Sequence, residues 1–353
     1  MLLKNEEKAV FALRELYAGY GYCPYKMSRF EEYDLYVRNK DFLVSDQIIT
    51  FSDREGRLLA LKPDVTLSIV KNAPEAAGMV QKVYYNENVY RDFREIMQTG
   101  LECVGDLGDY EIGEVVLLAA KSLELLEKPY VLDVSHMGLV GAVLAGCDLT
   151  EKEKAAAMDC LQSKNLDGLK ALCEGKADTY EKLKALVLCR GGKEELDALR
   201  PLVCTEAGEK ALRQLEAIWE ILSRAGYAAN VRLDFSVSNN MSYYSGVVFK
   251  GYVQGVPAGV LSGGQYDRLL QKMGRKSSAV GFAIYVDLLQ EDISGTLDVD
   301  TLILHDGSMD AAQLMAVTEE AKAGGSVLVA KTIPEGRNWK KMIRIEVGKA
   351  AEQ

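Results

Sequence analysis

QKVYYNENVYR (81–91) and EIMQTGLECVG (95–105) decide how this chain folds. Both read as strands, and only Asp92, Phe93 and Arg94 separate them, so they are predicted to pair as a tight antiparallel hairpin. Side chains at i, i+2 and i+4 of a strand share a face, which puts Gln98, Gly100 and Glu102 on one surface. An amide, a bare backbone and a carboxylate side by side are costly to bury without a polar ligand. Glu102 would meet an ammonium or imidazole N–H, and Gly100 would leave room for it. The alternative is a solvent-facing sheet surface.

Outward from the hairpin, residues 6–18 read as an amphipathic helix with Val10, Leu13 and Tyr17 on one stripe. ITFSDREGRLLALKP (49–63) holds a turn at Asp53–Gly56 and an apolar strand ending at Pro63. A helix then starts at Asp64, a plausible cap. After the hairpin come a helix, EIGEVVLLAAKSLELL, and a strand, YVLDVSH. Short, charged, Ala- and Leu-rich helices fill residues 148–207, read as a helical insertion. A longer helix follows, with Leu212, Leu215, Trp219 and Leu222 on one face. Strands return in VRLDFSV, YYSGVVFKGYV and AGVLSGG. GFAIYVDLL (281–289) reads as the opening of a buried helix, and residues 296–353 as a small β-α-β-β tail. The expected organisation is thus a core in two parts, 1–147 and 208–295, around the 148–207 insertion, with the tail at 296–353.

The chain has 353 residues, 48% of them hydrophobic and 27% charged, as in an ordinary globular protein. No run of about 18 apolar residues suggests a membrane span, and the N-terminal stretch carries acids where a signal peptide would not. A cytoplasmic location is expected. The net charge of −10 opposes nucleic-acid binding, which depends on neutralising phosphates. Seven cysteines without a C-x-x-C pair, beside two histidines, point to scattered reduced thiols and to no metal site. No cofactor is expected.

Three further stretches carry polar chemistry. LKPDVT (61–66) places Asp64 and Thr66 at a strand-to-helix turn, where capping is their default role. In MSYYSGVVF, Tyr243 and Tyr244 are neighbours, so one is expected to face a pocket and the other to pack. GGQYD (263–267) reads as a glycine pair entering a helix, a turn that lets a ligand approach backbone.

Taken in order, GYCPYKMSRFEEY, LKPDVT, YRDFREIMQTGLECVG, MSYYSGVVF, GGQYD and AVGFAI resemble the catalytic core of histidyl-tRNA synthetase, a class II synthetase. The resemblance covers roughly residues 1–290. It implies an α+β fold, an antiparallel sheet flanked by helices, and dimerisation through the first motif. It maps Asp64, Thr66, Gln98, Glu102, Tyr243 and Tyr244 onto positions that hold histidine, with Gly100 between them.

The departures are specific. The family's long Arg-rich loop is cut to DFR. Leu288 stands for its phosphate-clamping arginine and Tyr285 for a glycine. Asn239 stands for the histidine-specific arginine, and Ser28 for the first motif's proline. Leucine cannot neutralise a triphosphate, so adenylate formation is expected to be lost and no catalytic residue is assigned. A synthetase core of this kind resembles the regulatory subunits of short-form ATP phosphoribosyltransferase. That resemblance implies a catalytic partner that joins ATP to phosphoribosyl pyrophosphate, the first step of histidine biosynthesis. It further implies histidine as feedback effector and a homodimer within a hetero-oligomer. A diverged synthetase and a free-standing amino-acid sensor are the alternatives.

Overall fold

The computed structural model describes residues 5–43, 47–74, 78–237, 243–289, 299–335, 337–346 and 349–352. In chain order the strands are β1 (Cys23–Pro24), β2 (Phe30–Glu32), β3 (Thr50–Ser52), β4 (Leu58–Leu61), β5 (Val80–Arg91), β6 (Arg94–Gly105), β7 (Tyr130–His136) and β8 (Arg190–Gly191). They continue with β9 (Val231–Asp234), β10 (Val247–Val253), β11 (Leu261–Gln265), β12 (Ser278–Tyr285), β13 (Val299–His305), β14 (Val327–Ala330), β15 (Trp339–Glu346) and β16 (Lys349–Glu352). Two compact units form, Lys4–Leu289 and a smaller one that holds β13 to β16.

The 81–105 stretch folds as the hairpin expected. Strands β5 and β6 pair antiparallel from Val80 opposite Gly105 to Arg91 opposite Arg94. Arg94 therefore belongs to the strand, and the turn is only Asp92 and Phe93, both left-handed with φ of 50° and 58°. Two left-handed central residues match the right-handed twist of the flanking strands. The hairpin seeds a sheet of nine strands among the described residues, ordered β1-β5-β6-β12-β11-β10-β7-β9-β8. From β5 to β10 every pairing is antiparallel.

Alternation along β6 gives this sheet two faces. Cys103 faces back, opposite Lys82, whose Nζ donates to Glu114 Oε1 at 2.6 Å. Glu114 lies on the helix Asp109–Glu124, which covers that back face and is buried almost all round. The helix Asn5–Gly19 buries Val10, Leu13 and Tyr17, and Glu206–Arg224 buries Leu212, Leu215, Trp219 and Leu222, as their periodicity predicts. Helices between Glu151 and Leu199 add Leu161, Leu183 and Leu196 to the same continuous core. Lys164 Nζ bonds Asp234 Oδ2 at 2.6 Å, joining that segment to β9.

Three expectations are corrected. Residues 281–285 of GFAIYVDLL are the end of β12, and only Val286–Leu289 turn as a 3₁₀-helix. Strand β12 lies between β6 and β11 with most residues buried, so it reads as a continuous apolar run without the alternation that marks a half-exposed strand. Gly263 and Gly264 sit inside β11, and the helix begins only at Asp267. The tail is β-α-β-β-β: β13, the helix Ala311–Lys322, β14, β15 and a further strand, β16, in the order β14-β13-β15-β16. Strand β16, KAAE, is too short and too polar to announce itself.

A separate three-stranded sheet, β2-β4-β3, pairs Phe30 with Leu61 and Phe51 with Leu59. Residues directly opposite share a face, so two exposed phenylalanines lie together, rings 5.6 Å apart.

Candidate functional site

The front face of the large sheet floors a cavity of about 560 Å³. Cross-strand register sets out the floor in rows. Tyr85, Gly100, Ala283, Ser262 and Lys250 face one another across β5, β6, β12, β11 and β10. One step along, Glu102, Gly281 and Gly264 form the next row, and Gln98 pairs with Tyr285 in a third. Glycines in this floor make room for the side chains beside them. A Cβ on Gly281 would stand 1.8 Å from Glu102 Oε2, and one on Gly100 would stand 2.6 Å from the Tyr85 hydroxyl.

The walls come from loops. The turn before the helix Thr66–Asn72 supplies Asp64 and Thr66. Asp64 Oδ1 accepts from Leu67 N at 2.8 Å, so the residue caps the helix and lines the cavity at once. Tyr243, Tyr244 and Tyr266 form an aromatic wall, with Tyr243 ring centroids 4.6 Å from Tyr244 and 5.9 Å from Tyr266.

Glu102 is 2% exposed and sits at the bottom. Thr66 Oγ1 donates to its Oε1 at 2.7 Å and the Tyr266 hydroxyl donates to its Oε2. Burial pushes its carboxyl up to about 8, although both hydroxyls favour the charged form. Burial also raises Asp64, against the pull of the Arg91 guanidinium. Gln98, 3% exposed, has an Nε2 with no hydrogen-bond partner among the described residues. A buried carboxyl group without a cation and a buried amide N–H without an acceptor are costly arrangements that a polar ligand would satisfy.

Of the residues singled out from sequence, Asp64, Thr66, Gln98, Glu102, Tyr243 and Tyr244 line this cavity together. Gly100 does not line the cavity, because Tyr85 and the Phe282 carbonyl cover it. The two tyrosines do not divide between pocket and packing. They precede β10 rather than belonging to a strand, so strict alternation does not apply to them. Asn239 lies outside the described residues. Leu288 is 40% exposed and does not line the cavity.

Sequence reasoning missed Arg91, Lys250, Tyr266 and the cavity-facing position of Tyr285. Counting by twos from Tyr85 along β5 reaches Arg91, which is 8% exposed and donates Nε to the Pro63 carbonyl at 2.8 Å. Tyr266 carried no signal beyond its place in GGQYD. No cluster of three or more metal-ligating side chains occurs among the described residues.

Comparison with known proteins gives consistent relatives. The family model for histidyl-tRNA synthetase matches residues 2–289. An ATP phosphoribosyltransferase regulatory subunit from Clostridium kluyveri is 29% identical over 291 residues, 78% of this chain and 74% of that protein. A solved ATP phosphoribosyltransferase regulatory subunit/histidyl-tRNA synthetase from Bacillus halodurans superposes with a TM-score of 0.77 at 24% identity, over 96% of this chain and 93% of that one. An ATP phosphoribosyl transferase complex from Thermotoga maritima holds a chain that matches with a TM-score of 0.62 at 19% identity, over 80% of this chain and 97% of that one. The solved structures share the α+β, class II synthetase-like fold described above.

Proposed function

Since the chain belongs to the histidyl-tRNA synthetase family, we propose that it serves as the non-catalytic regulatory subunit of a short-form ATP phosphoribosyltransferase. In this reading it is required for the partner's activity in the first step of histidine biosynthesis, and histidine in its cavity is the feedback signal. The cavity carries the argument. It brings acid, amide, hydroxyl and aromatic side chains together around a space of amino-acid size, in a chain similar to proteins that bear the regulatory-subunit name. Gln98 Nε2 offers an unused donor, and Glu102 and Asp64 offer acceptors to an ammonium or imidazole N–H.

The hairpin supports the absence of aminoacylation. Its turn is two residues long, so it provides no long loop to embrace a nucleotide and a tRNA end. Its place in the cytoplasm belongs to the same reading, and no helix among the described residues is long and apolar enough to cross a membrane. A homodimer within the hetero-oligomer is part of the proposal, supported by the exposed pair of Phe51 and Phe30, the latter within the GYCPYKMSRFEEY stretch (21–33).

Reconstitution with the cognate catalytic subunit tests it, by assay of phosphoribosyl-ATP formation with and without histidine. Identical rates and histidine responses with and without this chain would end the proposal. One observation favours a second reading, a diverged histidyl-tRNA synthetase: Arg91 and Lys250 bring two cations to the cavity. Histidine-dependent pyrophosphate exchange by the chain alone decides for that reading. Binding of histidine without any effect on the partner decides for a free-standing sensor.

A further inference from the structure

Several shielded cations of this chain are held in ion pairs. Lys62 pairs with Glu87, Lys82 with Glu114, Lys164 with Asp234 and Arg232 with Asp133. Among the described residues, neither Arg91 nor Lys250 forms an ion pair, in a chain of 52 acids and 42 bases, although Arg91 acts on the Asp64 carboxyl from a distance. Arg91 is at least anchored, by the Pro63 carbonyl. Lys250 is not, and the reason is legible in the register. Cross-strand pairing sets it opposite Asp133, but both oxygens of Asp133 accept from Arg232, at 2.7 and 3.1 Å.

Its position is constructed nonetheless. The stem lies along Gly259, where a Cβ would stand 2.3 Å from Lys250 Cε. A side chain at 259 would lift the lysine off this path. The ammonium lies 5.6 Å from the centre of the Tyr252 ring, within the range of a cation–π contact. In the floor, Lys250 ends the row that runs through Ser262, Ala283 and Gly100, next to the row that holds Glu102. The floor is therefore dipolar, with a buried carboxyl group toward one side and, on the other, an ammonium without an ion-pair partner among the described residues.

We propose that Lys250 is a specificity-determining residue of this cavity, seating the acidic group of a small zwitterionic ligand whose cationic end meets Glu102. The inference rests on the amino-acid-pocket reading above and adds to it a residue and a selection rule. A ligand that lacks the acidic group leaves the ammonium without a partner, and discrimination of this kind is strong where a charged hydrogen bond is lost.

The test is a cycle between protein and ligand, read by calorimetry on the full chain. Histidine and histamine, which lacks the carboxylate, are titrated into the wild type, Lys250→Met and Lys250→Arg. The wild type should prefer histidine by about tenfold or more, Lys250→Met should reduce that preference to near unity, and Lys250→Arg should restore most of it. A lysine that only rides the surface to solvent would leave the preference unchanged in Lys250→Met, which overturns the inference. Inorganic phosphate serves as a second probe that does not assume histidine. If neither amino-acid probe binds the wild type, but phosphate binds and Lys250→Met abolishes its binding, the anion seat stands while the histidine reading falls. Phosphate and histidine binding both indifferent to Lys250→Met would remove the seat altogether.

Discussion

Glu102 concentrates the physical chemistry of this protein in one side chain. It is buried, it meets two hydroxyls and, among the described residues, no cation, and its carboxyl occupies the space that a side chain on Gly281 would fill. Loss of a charge-assisted hydrogen bond in such a place costs about 1.5–3 kcal/mol, so Glu102→Ala should weaken histidine binding roughly ten- to a hundred-fold by calorimetry. Unchanged affinity would move the site elsewhere. The empty protein should also report Glu102 through its pH dependence. A carboxyl raised from 4.5 to about 8 holds its proton longer in the folded state than in the unfolded one. The folded state is then favoured most below about pH 4.5 and loses stability as pH rises toward about 8. Glu102→Gln removes this dependence. Without ligand, its urea midpoint should gain on the wild type between about pH 5 and pH 8 and then run parallel. Curves parallel throughout would show that Glu102 is ionised in the empty cavity. Much of this was legible beforehand, because a two-residue period placed Gln98, Gly100 and Glu102 on one face. Their partners were not legible. Tyr266 reaches Glu102 across 164 positions of sequence, and no local pattern encodes that meeting.

At the scale of elements, the hairpin and β12 show what a pattern transmits and what it loses. The hairpin announced itself through its short connection, although its turn is one residue tighter than DFR suggests. The turn also breaks a local rule, since Phe93 takes a left-handed conformation with its ring 80% exposed. A left-handed backbone costs a residue with a Cβ about 1–2 kcal/mol. Phe93→Gly should therefore raise the melting temperature of the isolated chain by a few degrees, read by scanning calorimetry. An unchanged or lowered value would mean that the ring makes a stabilising contact in the folded chain. Strand β12 reads as a helix because both its faces are covered, and coverage is decided by neighbours that the segment itself cannot name. Its glycine supplies a sharper test than its apolar run. Gly281→Ala would drive a methyl into Glu102 Oε2, 1.8 Å away, where the adjacent Leu101 carbonyl, 2.5 Å away, leaves no retreat. Histidine binding should be lost in that variant while the circular dichroism of the sheet persists. Retained binding would show that the cavity floor can shift.

For the whole molecule, the proposed regulatory role asks how a small-molecule cavity could govern chemistry performed on another chain. Coupling requires histidine to prefer one of two states of the complex, typically by about 1–3 kcal/mol, and the same preference must appear as a change in partner affinity when histidine binds. This architecture offers a route. Tyr90 N donates to the Lys62 carbonyl at 2.9 Å, linking the cavity hairpin to the small sheet that carries Phe30 and Phe51. Arg91, next along β5, lines the cavity. A dimer seated on that exposed pair would thus sit one hydrogen bond away from the ligand. Phe30→Lys combined with Phe51→Lys should shift sedimentation at micromolar concentration from dimer to monomer. If the dimer resists, its interface lies elsewhere. The regulatory consequence follows in the reconstituted complex. The chain alone should catalyse neither histidine adenylation nor phosphoribosyl transfer. Added to a short-form catalytic subunit, it should raise the rate of phosphoribosyl-ATP formation and confer or strengthen inhibition by histidine. Glu102→Ala should keep the activation and shift the histidine inhibition curve to roughly ten- to a hundred-fold higher concentration, because it alters the signal and not the contact with the partner. Loss of activation together with inhibition in Glu102→Ala would show that the cavity is needed for assembly itself. Full inhibition at the wild-type histidine concentration would place the effector site on the catalytic subunit.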